Sequence, residues 1–473
     1  MNKKTKIVCT VGPATESTEM LEKLLKAGMN VMRLNFSHGD FAEHQKRVNN
    51  LGVAIKKTGI PSAILQDLSG PKIRIGDFKT ESVLLKEGQT FTLTTEKIVG
   101  DEKRVFVNYP LLPKEVKKGD IVFLHDGKKK LQVIAVKGQN IITKVLIGGD
   151  IKGRRGLNFP DSELSIPALT EKDKVDLEFG IKNDVDFFAL SFVRHAKDIE
   201  DLRSILNKKK SKAKIIAKIE TPQAVKDIDA IIASADGIMV ARGDLAVEIL
   251  PEEVPLVQKM IIEKCNEAGK PVITATQILE SMIKNSTPTR AEVSDIANAI
   301  IDGTDAIMLS EETTLGLYPV HAVEIMSKVA ERVEKDFLKE QLLSFGSRIK
   351  EIEGIAESIT ASAVRIADRV NAHCIVSLTE GGTSARMISR HKPIQPILVF
   401  TPNKKTFNQT LLSFGCFPIL LEWSNDFSKA LAIISNYILK NKLAKKGDKF
   451  IMSSGMPFGS KVNTSMLLVE TLK

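Results

Sequence analysis

The fold is decided by the stretch Lys214-Ile215-Ile216-Ala217-Lys218-Ile219 and by seven further apolar runs of similar length and character. Segments with the 3.6-residue period of an amphipathic helix lie between most of these runs. Eight strand-like runs, each followed by a helical or inserted segment, predict a (β/α)8 TIM barrel within an α/β protein. The other seven runs are residues 6–12, 30–36, 62–68, 186–192, 237–242, 271–277 and 306–310.

A different pattern interrupts the barrel after its third strand. Apolar and polar residues alternate over short stretches, which is typical of half-buried strands. The stretches are residues 90–94, 105–108, 121–124, 131–136 and 141–146. Residues 70–165 contain 18 lysine and arginine residues against 12 aspartate and glutamate residues, a net charge of +6. We predict a small all-β domain inserted at 70–165, a lid whose charge suits closure over anions.

A third pattern begins after about residue 340. Helical segments near residues 359–370, 384–389 and 427–438 alternate with apolar runs at 374–378, 397–401, 417–422 and 449–453. This alternation predicts a separate α/β domain with a layered sheet. The predicted domains are therefore a barrel of residues 1–69 and 166–340, the inserted lid 70–165 and a C-terminal domain 341–473.

The composition is that of an ordinary soluble globular protein. Of the 473 residues, 27% are charged and 43% hydrophobic, which argues against long disordered stretches. No apolar run approaches the ~18 residues of a membrane helix, so we expect no membrane association. The cysteines form no C-x-x-C pair, which indicates unpaired thiols in a reducing cytoplasm. They are Cys9, Cys265, Cys374 and Cys416.

The net charge of +10 raises the possibility of a nucleic-acid-binding protein. Such a protein needs a basic stripe with stacking aromatic side chains. Aromatic residues make up only 5% of the chain, and none interleave with the basic runs at 128–130 and 208–214. We interpret these two runs as solvated or anion-attracting surfaces and expect no nucleic-acid partner.

Polar residues that are unusual for a buried strand stand at the carboxyl ends of the predicted barrel strands, where barrel enzymes carry their chemistry. Lys218 and Glu220 are two positions apart and would share a face. Glu220 and Asp244 can hold a hard divalent cation, while Lys218 and Arg33 neutralise a phosphorylated substrate. The full set is Arg33, Asn35, Ser37, Asp67, Lys218, Glu220, Asp244, Thr276 and Gln277.

Seven motifs follow one another in a characteristic order. They are VMRLNFSHG (31–39), GPKIR (70–74), KIE (218–220), MVARGDL (239–245), TATQILESM (274–282), PTRAE (288–292) and DGTD (302–305). With the inserted lid, they resemble the pyruvate kinase family over essentially the whole chain. The resemblance implies a glycolytic phosphotransferase that moves the phosphoryl group of phosphoenolpyruvate to ADP, giving ATP and pyruvate.

The resemblance also implies roles for individual residues. Arg33 would bind the substrate phosphate, and Lys218 would stabilise charge on the transferring phosphoryl group and the enolate. Glu220 and Asp244 would hold Mg²⁺ or Mn²⁺. The remaining substrate positions are Ala241, Gly243 and Thr276, with Thr276 near the enolate carbon. The nucleotide-contacting positions are Asn35, His38, Arg74 and Arg155.

One departure from the family pattern concerns the monovalent cation, which most members bind near Asn35, Ser37, Asp67 and Leu68. The stretch DLSGPKIRI (67–75) has Lys72 in place of the usual glutamate and Ile75 in place of a threonine. A tethered ammonium can supply the charge that K⁺ would bring. We therefore hypothesise that K⁺ is not required.

The C-terminal stretch LTEGGTSAR (378–386) resembles the family's effector loop, which binds sugar phosphates. Glu380 argues against a doubly phosphorylated effector and favours a sugar or nucleotide monophosphate. A homotetramer is implied by the resemblance alone. The loop residues are Thr379, Glu380, Gly381, Gly382, Thr383 and Ser384.

The polar residues at the strand ends are also consistent with a second class of enzyme. A Mg²⁺-dependent barrel lyase or aldolase acting on pyruvate enolates would also use Glu220 and Asp244. Such enzymes need no nucleotide lid, so the insertion at 70–165 and Arg74 favour the kinase.

Overall fold

The computed structural model describes residues 3–336, 354–422, 426–456 and 463–473. The first part of the chain forms three strands and two helices. Both helices begin at a polar N-cap whose side chain accepts a backbone N–H, Ser17 and Asp40, and both end at a glycine with positive φ. The elements are β1 (Lys6–Thr10), α1 (Thr18–Ala27), β2 (Val31–Asn35), α2 (Phe41–Thr58) and β3 (Ala63–Asp67).

The chain then leaves the barrel and forms β-structure around its own apolar core. Six strands make one sheet in the order β11-β7-β8-β9-β5-β6, and β10 pairs with β4. The elements are β4 (Val83–Leu85), β5 (Thr90–Thr94), β6 (Arg104–Phe106), α3 (Leu112–Glu115), β7 (Ile121–Leu124), β8 (Lys129–Lys137), β9 (Asn140–Ile147), β10 (Gly149–Ile151) and β11 (Leu157–Asn158).

The chain returns to the barrel through a helix that begins with a capping box formed by Thr170 and Asp173. The elements are α4 (Glu171–Lys182), β12 (Phe187–Val193), α5 (Ala196–Lys208), β13 (Lys214–Ile219), α6 (Pro222–Lys226), α7 (Ile228–Ser234), β14 (Gly237–Ala241), α8 (Arg242–Glu248), α9 (Val254–Ala268), β15 (Val272–Ala275), a 3₁₀ turn (Glu280–Ile283), α10 (Arg290–Asp302), β16 (Ala306–Leu309), α11 (Glu311–Thr314) and α12 (Pro319–Asp336).

Eight parallel strands close into a barrel in the order β1-β16-β15-β14-β13-β12-β3-β2, which confirms the predicted fold. Apolar side chains from these strands, such as Val31 and Met239, fill the interior. The run predicted at 271–277 ends as a strand at Ala275, because Thr276 and Gln277 take φ values of 69° and 54°. This break turns both residues out of the sheet at the end where a site is expected.

The C-terminal α/β domain is a five-stranded sheet in the order β19-β18-β17-β20-β21 with helices packed on it. Strand β21 runs antiparallel to β20 over eight residues and was not predicted, because its pairing with β20 is a tertiary contact. The predicted boundary at 340/341 lies outside the described residues. The elements are α13 (Ile355–Arg369), β17 (Cys374–Leu378), α14 (Thr383–Ser389), β18 (Ile397–Thr401), α15 (Lys404–Thr410), β19 (Cys416–Leu420), α16 (Phe427–Lys440), β20 (Lys449–Gly455) and β21 (Thr464–Thr471).

The C-terminal domain packs on the barrel. Leu411 and Leu412, which follow α15, belong to the same apolar cluster as the barrel interior. A buried ion pair joins Lys392 Nζ to Asp305 Oδ1 at 3.0 Å. All four cysteines are buried and unpaired, as predicted. Within the part of the chain that the structure describes, none of the helices has the length and apolar character needed to cross a membrane.

Candidate active site

Charged side chains from neighbouring barrel strands meet at the carboxyl end of the barrel. Strands β2, β3, β12 and β13 are consecutive in the barrel, so Arg33, Asp67 and Lys218 lie side by side. Arg33 Nε donates to Asp67 Oδ2 at 2.7 Å, and Lys218 Nζ lies 3.3 Å from Asp67 Oδ1. Lys218 Nζ also lies 2.9 Å from Glu220 Oε1. These four buried residues form a row in which positive and negative side chains alternate.

Each charged side chain in this row shifts the pKa of its neighbour. Burial works against the charged form of Lys218, but Asp67 and Glu220 raise the pKa of its ammonium above the ordinary value. Burial likewise disfavours ionised Asp67, yet Lys218 and Arg33 hold the pKa of that carboxyl below its usual range. Burial raises the pKa of Glu220, against the opposing effect of Lys218, and the charge of Asp244 adds to the rise. Lys218 is therefore a permanent cation.

Two residues of β12 complete this cluster, and the sequence analysis missed both. Ser191 Oγ accepts a hydrogen bond from Lys218 Nζ at 2.7 Å and donates to the Leu68 carbonyl at 2.6 Å. The Phe192 backbone N–H donates to Glu220 Oε2 at 2.6 Å, with Phe192 held at a φ of 53°. The single hydroxyl in the otherwise apolar run FFALSFV was the signal that would have identified Ser191.

Asp244 lies on α8, directly after the barrel strand β14, and its side chain is about one-third exposed. The Gly243 backbone N–H donates to Thr276 Oγ1 at 2.7 Å, and that hydroxyl donates to the Ala275 carbonyl at 2.7 Å. Arg242 Nη2 donates to the Thr276 carbonyl at 2.8 Å. These bonds join the start of α8 to the end of β15. They also engage the hydroxyl proton of Thr276, which favours positioning over proton delivery.

Glu220 and Asp244 are suitable ligands for a divalent cation. Both offer carboxylate oxygens, the donor type that hard divalent cations prefer. Glu220 Oε1 is buried and paired with Lys218 Nζ at 2.9 Å, and Asp244 is near enough to raise the pKa of Glu220. No cluster of three or more histidine, cysteine, aspartate or glutamate residues with metal-binding geometry occurs among the described residues. A cation here would therefore depend on this pair and on substrate oxygens.

Two of the predicted nucleotide residues belong to the barrel and two to the inserted segment. Asn35 ends β2, and its Oδ1 accepts the Ser37 backbone N–H at 3.1 Å. Arg74 and Arg155 belong to the inserted segment, and the Arg155 Nε is buried without a hydrogen-bond partner. Within the described ranges, no hydrogen bond or ion pair joins Asn35 or His38 to either arginine. Contact between the two sets would require a ligand between them.

The loop that carries Ser37 and His38 is held by a residue that the sequence analysis did not assign to the site. His44 Nε2 lies 3.0 Å from the His38 carbonyl, and the imidazole stacks on Phe36 with ring centroids 4.1 Å apart. Burial, together with Arg47, lowers the pKa of His44 to about 4. The neutral imidazole of His44 therefore donates a hydrogen bond to the His38 carbonyl and holds this loop in place.

The predicted monovalent-cation positions are already engaged with protein groups. Asp67 is paired with Arg33 and Lys218, and the Leu68 carbonyl accepts Ser191 Oγ. Lys72 Nζ points instead toward α8 and lies 3.9 Å from Asp244 Oδ1. The positive charge of Lys72 therefore lies close to the carboxylate of Asp244, one of the two candidate metal ligands.

The inserted segment docks on α8 at a further point. Asn158 Nδ2 donates to Glu248 Oε1 at 2.8 Å, beside a cavity of about 60 Å³ between the inserted segment and the barrel. Burial raises the pKa of Glu248 to about 7, and the charges of Asp244 and Glu220 contribute. Glu248 was not predicted from the sequence, although it lies one helical turn after Asp244.

The loop at 379–384 is compact. Gly382, with a φ of 81°, donates its backbone N–H to Thr379 Oγ1 at 2.9 Å. Thr406 Oγ1 donates to the Glu380 carbonyl at 2.5 Å, and the Ser384 hydroxyl bonds to that of Thr464. The loop thus leads directly into α14 and is tied to α15.

The chain is similar to known proteins over its whole length. The family described as "Pyruvate kinase, barrel domain" matches residues 2–323, and "Pyruvate kinase, alpha/beta domain" matches residues 357–470. The chain is 45% identical over 464 residues to a pyruvate kinase from Thermotoga maritima, covering 98% of this chain and 97% of the relative. It is 43% identical over 476 residues to one from Geobacillus stearothermophilus, covering 100% and 81%. A crystal structure of a pyruvate kinase from Cryptosporidium parvum superimposes with a TM-score of 0.95 at 36% identity, covering 100% of this chain and 97% of that one.

Proposed function

The chain belongs to the pyruvate kinase family, and from this premise we propose how its residues act. It is a phosphotransferase that moves the phosphoryl group of phosphoenolpyruvate to ADP, giving ATP and pyruvate. The assignment of roles rests on one observation, the row of buried ion pairs Arg33–Asp67–Lys218–Glu220.

Arg33 and Lys218 neutralise the phosphoryl group in this proposal. Arg33 is oriented by Asp67 and by a 2.8 Å bond from its Nη1 to Thr10 Oγ1, so its remaining donors are pre-positioned. Lys218 stays charged and is aimed by Ser191. A fixed cation in a water-poor site stabilises charge that moves from the phosphoryl group to the enolate oxygen.

The family requires a divalent metal, and we propose that Glu220 and Asp244 hold it, as Mg²⁺ or Mn²⁺. The closeness of the two carboxylates supports this assignment, because the charge of Asp244 contributes to the raised pKa of Glu220. When bound, such a cation draws electron density from substrate oxygens as a Lewis acid. Phe192 and Lys218 fix the Glu220 carboxylate.

The turn that begins α8 would bind the rest of phosphoenolpyruvate. Ala241 and Gly243 contribute backbone groups, and a Cβ at Gly243 would lie 3.3 Å from Thr276 Oγ1. Thr276 is a positioning residue in this proposal, because its hydroxyl already bridges Gly243 and Ala275. Asn35 and His38 would bind the nucleotide from the barrel side, and Arg74 and Arg155 from the lid side.

Lys72 would replace the monovalent cation. Its ammonium lies 3.9 Å from Asp244 Oδ1 and adds a fixed positive charge to an acidic part of the site. Ser37, Asp67 and Leu68 then serve as structural groups, and Asn35 keeps its role at the nucleotide. The enzyme would work without K⁺.

Regulation and assembly complete the proposal. We propose that the barrel comprises residues 1–69 and 166–340, the inserted lid residues 70–165 and the C-terminal domain residues 341–473. The barrel and the inserted segment have separate apolar cores, which supports the limit between residues 69 and 70. The loop Thr379–Ser384 would take a phosphorylated effector. The family resemblance supports a cytoplasmic homotetramer.

A single assay tests the activity. Purified protein is incubated with phosphoenolpyruvate, Mg²⁺ and ADP, and pyruvate and ATP are both measured; ADP is left out of the control. We expect equal amounts of the two products and none without ADP. Pyruvate formation that is independent of ADP, with the phosphoryl group passing to water, would contradict the proposal and indicate a phosphatase.

A further inference from the structure

The inserted segment leaves the barrel after β3 and returns to it at α4, and one carboxylate on the first turn of α4 binds both ends. Asp173, which is fully buried, accepts the Gly70 backbone N–H on Oδ1 at 3.2 Å, where the segment begins. Its Oδ2 accepts the Thr170 backbone N–H at 2.9 Å, where the chain has returned. We call Gly70 and Thr170 the lid hinge. The first turn of α4 therefore fixes the place where the lid is attached.

The neighbouring residue on α4, Lys172, extends this attachment to the loop that follows β2. Lys172 Nζ donates to the Phe36 carbonyl at 2.8 Å and to Ser69 Oγ at 3.3 Å. Ser69 Oγ itself donates to the Phe36 carbonyl at 2.9 Å, and Ser69 directly precedes the hinge residue Gly70. One ammonium group therefore contacts the loops that follow two neighbouring barrel strands, β2 and β3.

The loop after β2 carries the residues proposed to bind the nucleotide from the barrel side, Asn35 and His38. We call residues 35–38 the nucleotide loop. Two of its carbonyls accept hydrogen bonds from side chains on different helices. The Phe36 carbonyl is bound by Lys172 on α4, and the His38 carbonyl is bound by His44 on α2. Lys172 differs from His44 in that it also contacts the residue beside the lid hinge.

The direction of the Lys172 side chain is set by its own helix. Lys172 Nζ lies 2.6 Å from Asp176 Oδ2, one turn further along α4, and the Asp176 side chain is only 5% exposed. The Asp176 carbonyl accepts Gln66 Nε2 from β3 at 2.7 Å, which holds this part of α4 against the barrel. The side chain of Lys172 is 58% exposed, and exposed ion pairs contribute little to stability. Its three contacts therefore serve mainly to fix positions.

We propose that Lys172 is a positioning residue for ADP, which holds the nucleotide loop at a fixed distance from the lid hinge. The proposal rests on the proposed function, in which ADP contacts the nucleotide loop on the barrel side and Arg74 and Arg155 on the lid side. ADP binding then depends on the spacing of the two sides. Lys172 sets that spacing through Phe36 and Ser69, and small displacements of positioned groups have large effects.

Phosphoenolpyruvate should be affected much less. The hydrogen bonds that Lys172 makes within the described part of the chain go to Phe36, Ser69 and Asp176. The groups proposed to bind phosphoenolpyruvate, Arg33 and Lys218, are held instead by Asp67 and Ser191. A loss that is confined to ADP would therefore separate positioning of the nucleotide from general damage to the barrel.

Steady-state kinetics on the full chain, with ADP and phosphoenolpyruvate varied in turn, test this proposal. Lys172→Met removes the donors, whereas Lys172→Arg keeps a cationic donor. Ser69→Ala removes one contact of Lys172 and leaves its ion pair with Asp176, so no buried carboxylate loses its partner. The matched control is Lys174→Met, on the same turn of α4, because Lys174 pairs only with Glu171 of its own helix among the described residues.

We expect Lys172→Met to raise the KM for ADP by about fivefold or more and Ser69→Ala to raise it by about threefold, because a charge-assisted hydrogen bond is stronger than a neutral one. The value of kcat and the KM for phosphoenolpyruvate should stay within about twofold in both variants. Lys172→Arg should be impaired less than Lys172→Met. Lys174→Met should behave like the unmodified enzyme, and denaturant unfolding checks that each variant is folded.

A KM for ADP that stays within about twofold in both Lys172→Met and Ser69→Ala would overturn the proposal. So would an equal rise in the KM for phosphoenolpyruvate, or an equal effect of Lys174→Met. If Lys172→Met does not fold, Ser69→Ala decides the question alone. Absence of ATP formation by the unmodified chain would instead contradict the proposed function, so the two proposals fail separately.

Discussion

Asn158 of the inserted segment donates a hydrogen bond of 2.8 Å to Glu248 on α8, the helix that also carries Asp244. Gly127 of the same segment also approaches α8, since a Cβ placed on it would come within 3.5 Å of Val247. The lid therefore rests on the helix that supplies one of the proposed metal ligands. We therefore expect a movement of the inserted segment to change the position of Asp244.

Loss of the Asn158–Glu248 bond should impair nucleotide binding. We expect Asn158→Ala and Glu248→Ala each to raise the KM for ADP by about 2- to 10-fold, because one hydrogen bond at a closing surface is lost. The KM for phosphoenolpyruvate should change less. Steady-state kinetics with each substrate varied in turn measure both constants.

Glu248→Gln is the control, because the amide oxygen still accepts from Asn158. It should behave like the unmodified enzyme. The double variant Asn158→Ala/Glu248→Ala should be no worse than either single variant, since both remove the same bond. If the two single substitutions had additive effects on the KM for ADP, the Asn158–Glu248 hydrogen bond would not be the cause of those effects.

Lys218→Met should abolish most of the activity. We expect kcat to fall by about 10²- to 10³-fold, since a pre-positioned cation at the reacting group is lost. Removal of the ammonium also leaves Asp67 and Glu220 buried without their shared partner, which costs about 3–5 kcal/mol of stability. Activity assays and denaturant unfolding measure the two effects.

Lys214→Met is the matched control for Lys218, because Lys214 lies on the same strand at its opposite end. It should leave kcat within about twofold. Full activity in Lys218→Met would be incompatible with the proposed mechanism.

The enzyme should not respond to K⁺. Rates measured in a buffer free of small monovalent cations, with and without added K⁺, should agree. Lys72→Glu should create a K⁺ requirement, because a fixed positive charge beside Asp244 is replaced by a negative one. Lys79→Glu, at an exposed lysine of the inserted segment, is the control. A drop of about 100-fold without K⁺ in the unmodified enzyme, about 2.7 kcal/mol of barrier, would refute the role of Lys72.

His44 should make stability sensitive to acid. Its pKa is lowered from 6.5 to about 4 in the folded protein, so between these values the unfolded chain binds a proton that the folded chain does not. Stability should therefore fall as the pH drops from 6.5 to 4, by about 3 kcal/mol from this group. Unfolding measured across this range should show a shallower pH dependence for His44→Gln. His321→Gln, at a partly exposed ring, is the control, and an unchanged slope in His44→Gln would contradict the assignment.

The strands and helices were largely predictable because their signals are local. The run at 214–219 is predicted by its own six residues, and the structure has β13 at those positions. Strand β21 was missed, since it depends on antiparallel pairing with β20. Lys218, Glu220 and Asp67 were found because charged groups on buried strands are rare and therefore informative.

What the sequence alone determined is the order of elements, the closure of eight parallel strands and the identity of the charged groups at their ends, since each follows from the spacing of residues along the chain. Only the tertiary structure decided which atoms meet: Ser191 with Lys218, Asn158 with Glu248, and Lys212 with Gln409. These partners are between 27 and 197 positions apart. Their contacts depend on how strands, lid and C-terminal domain pack together, and no local pattern encodes that packing.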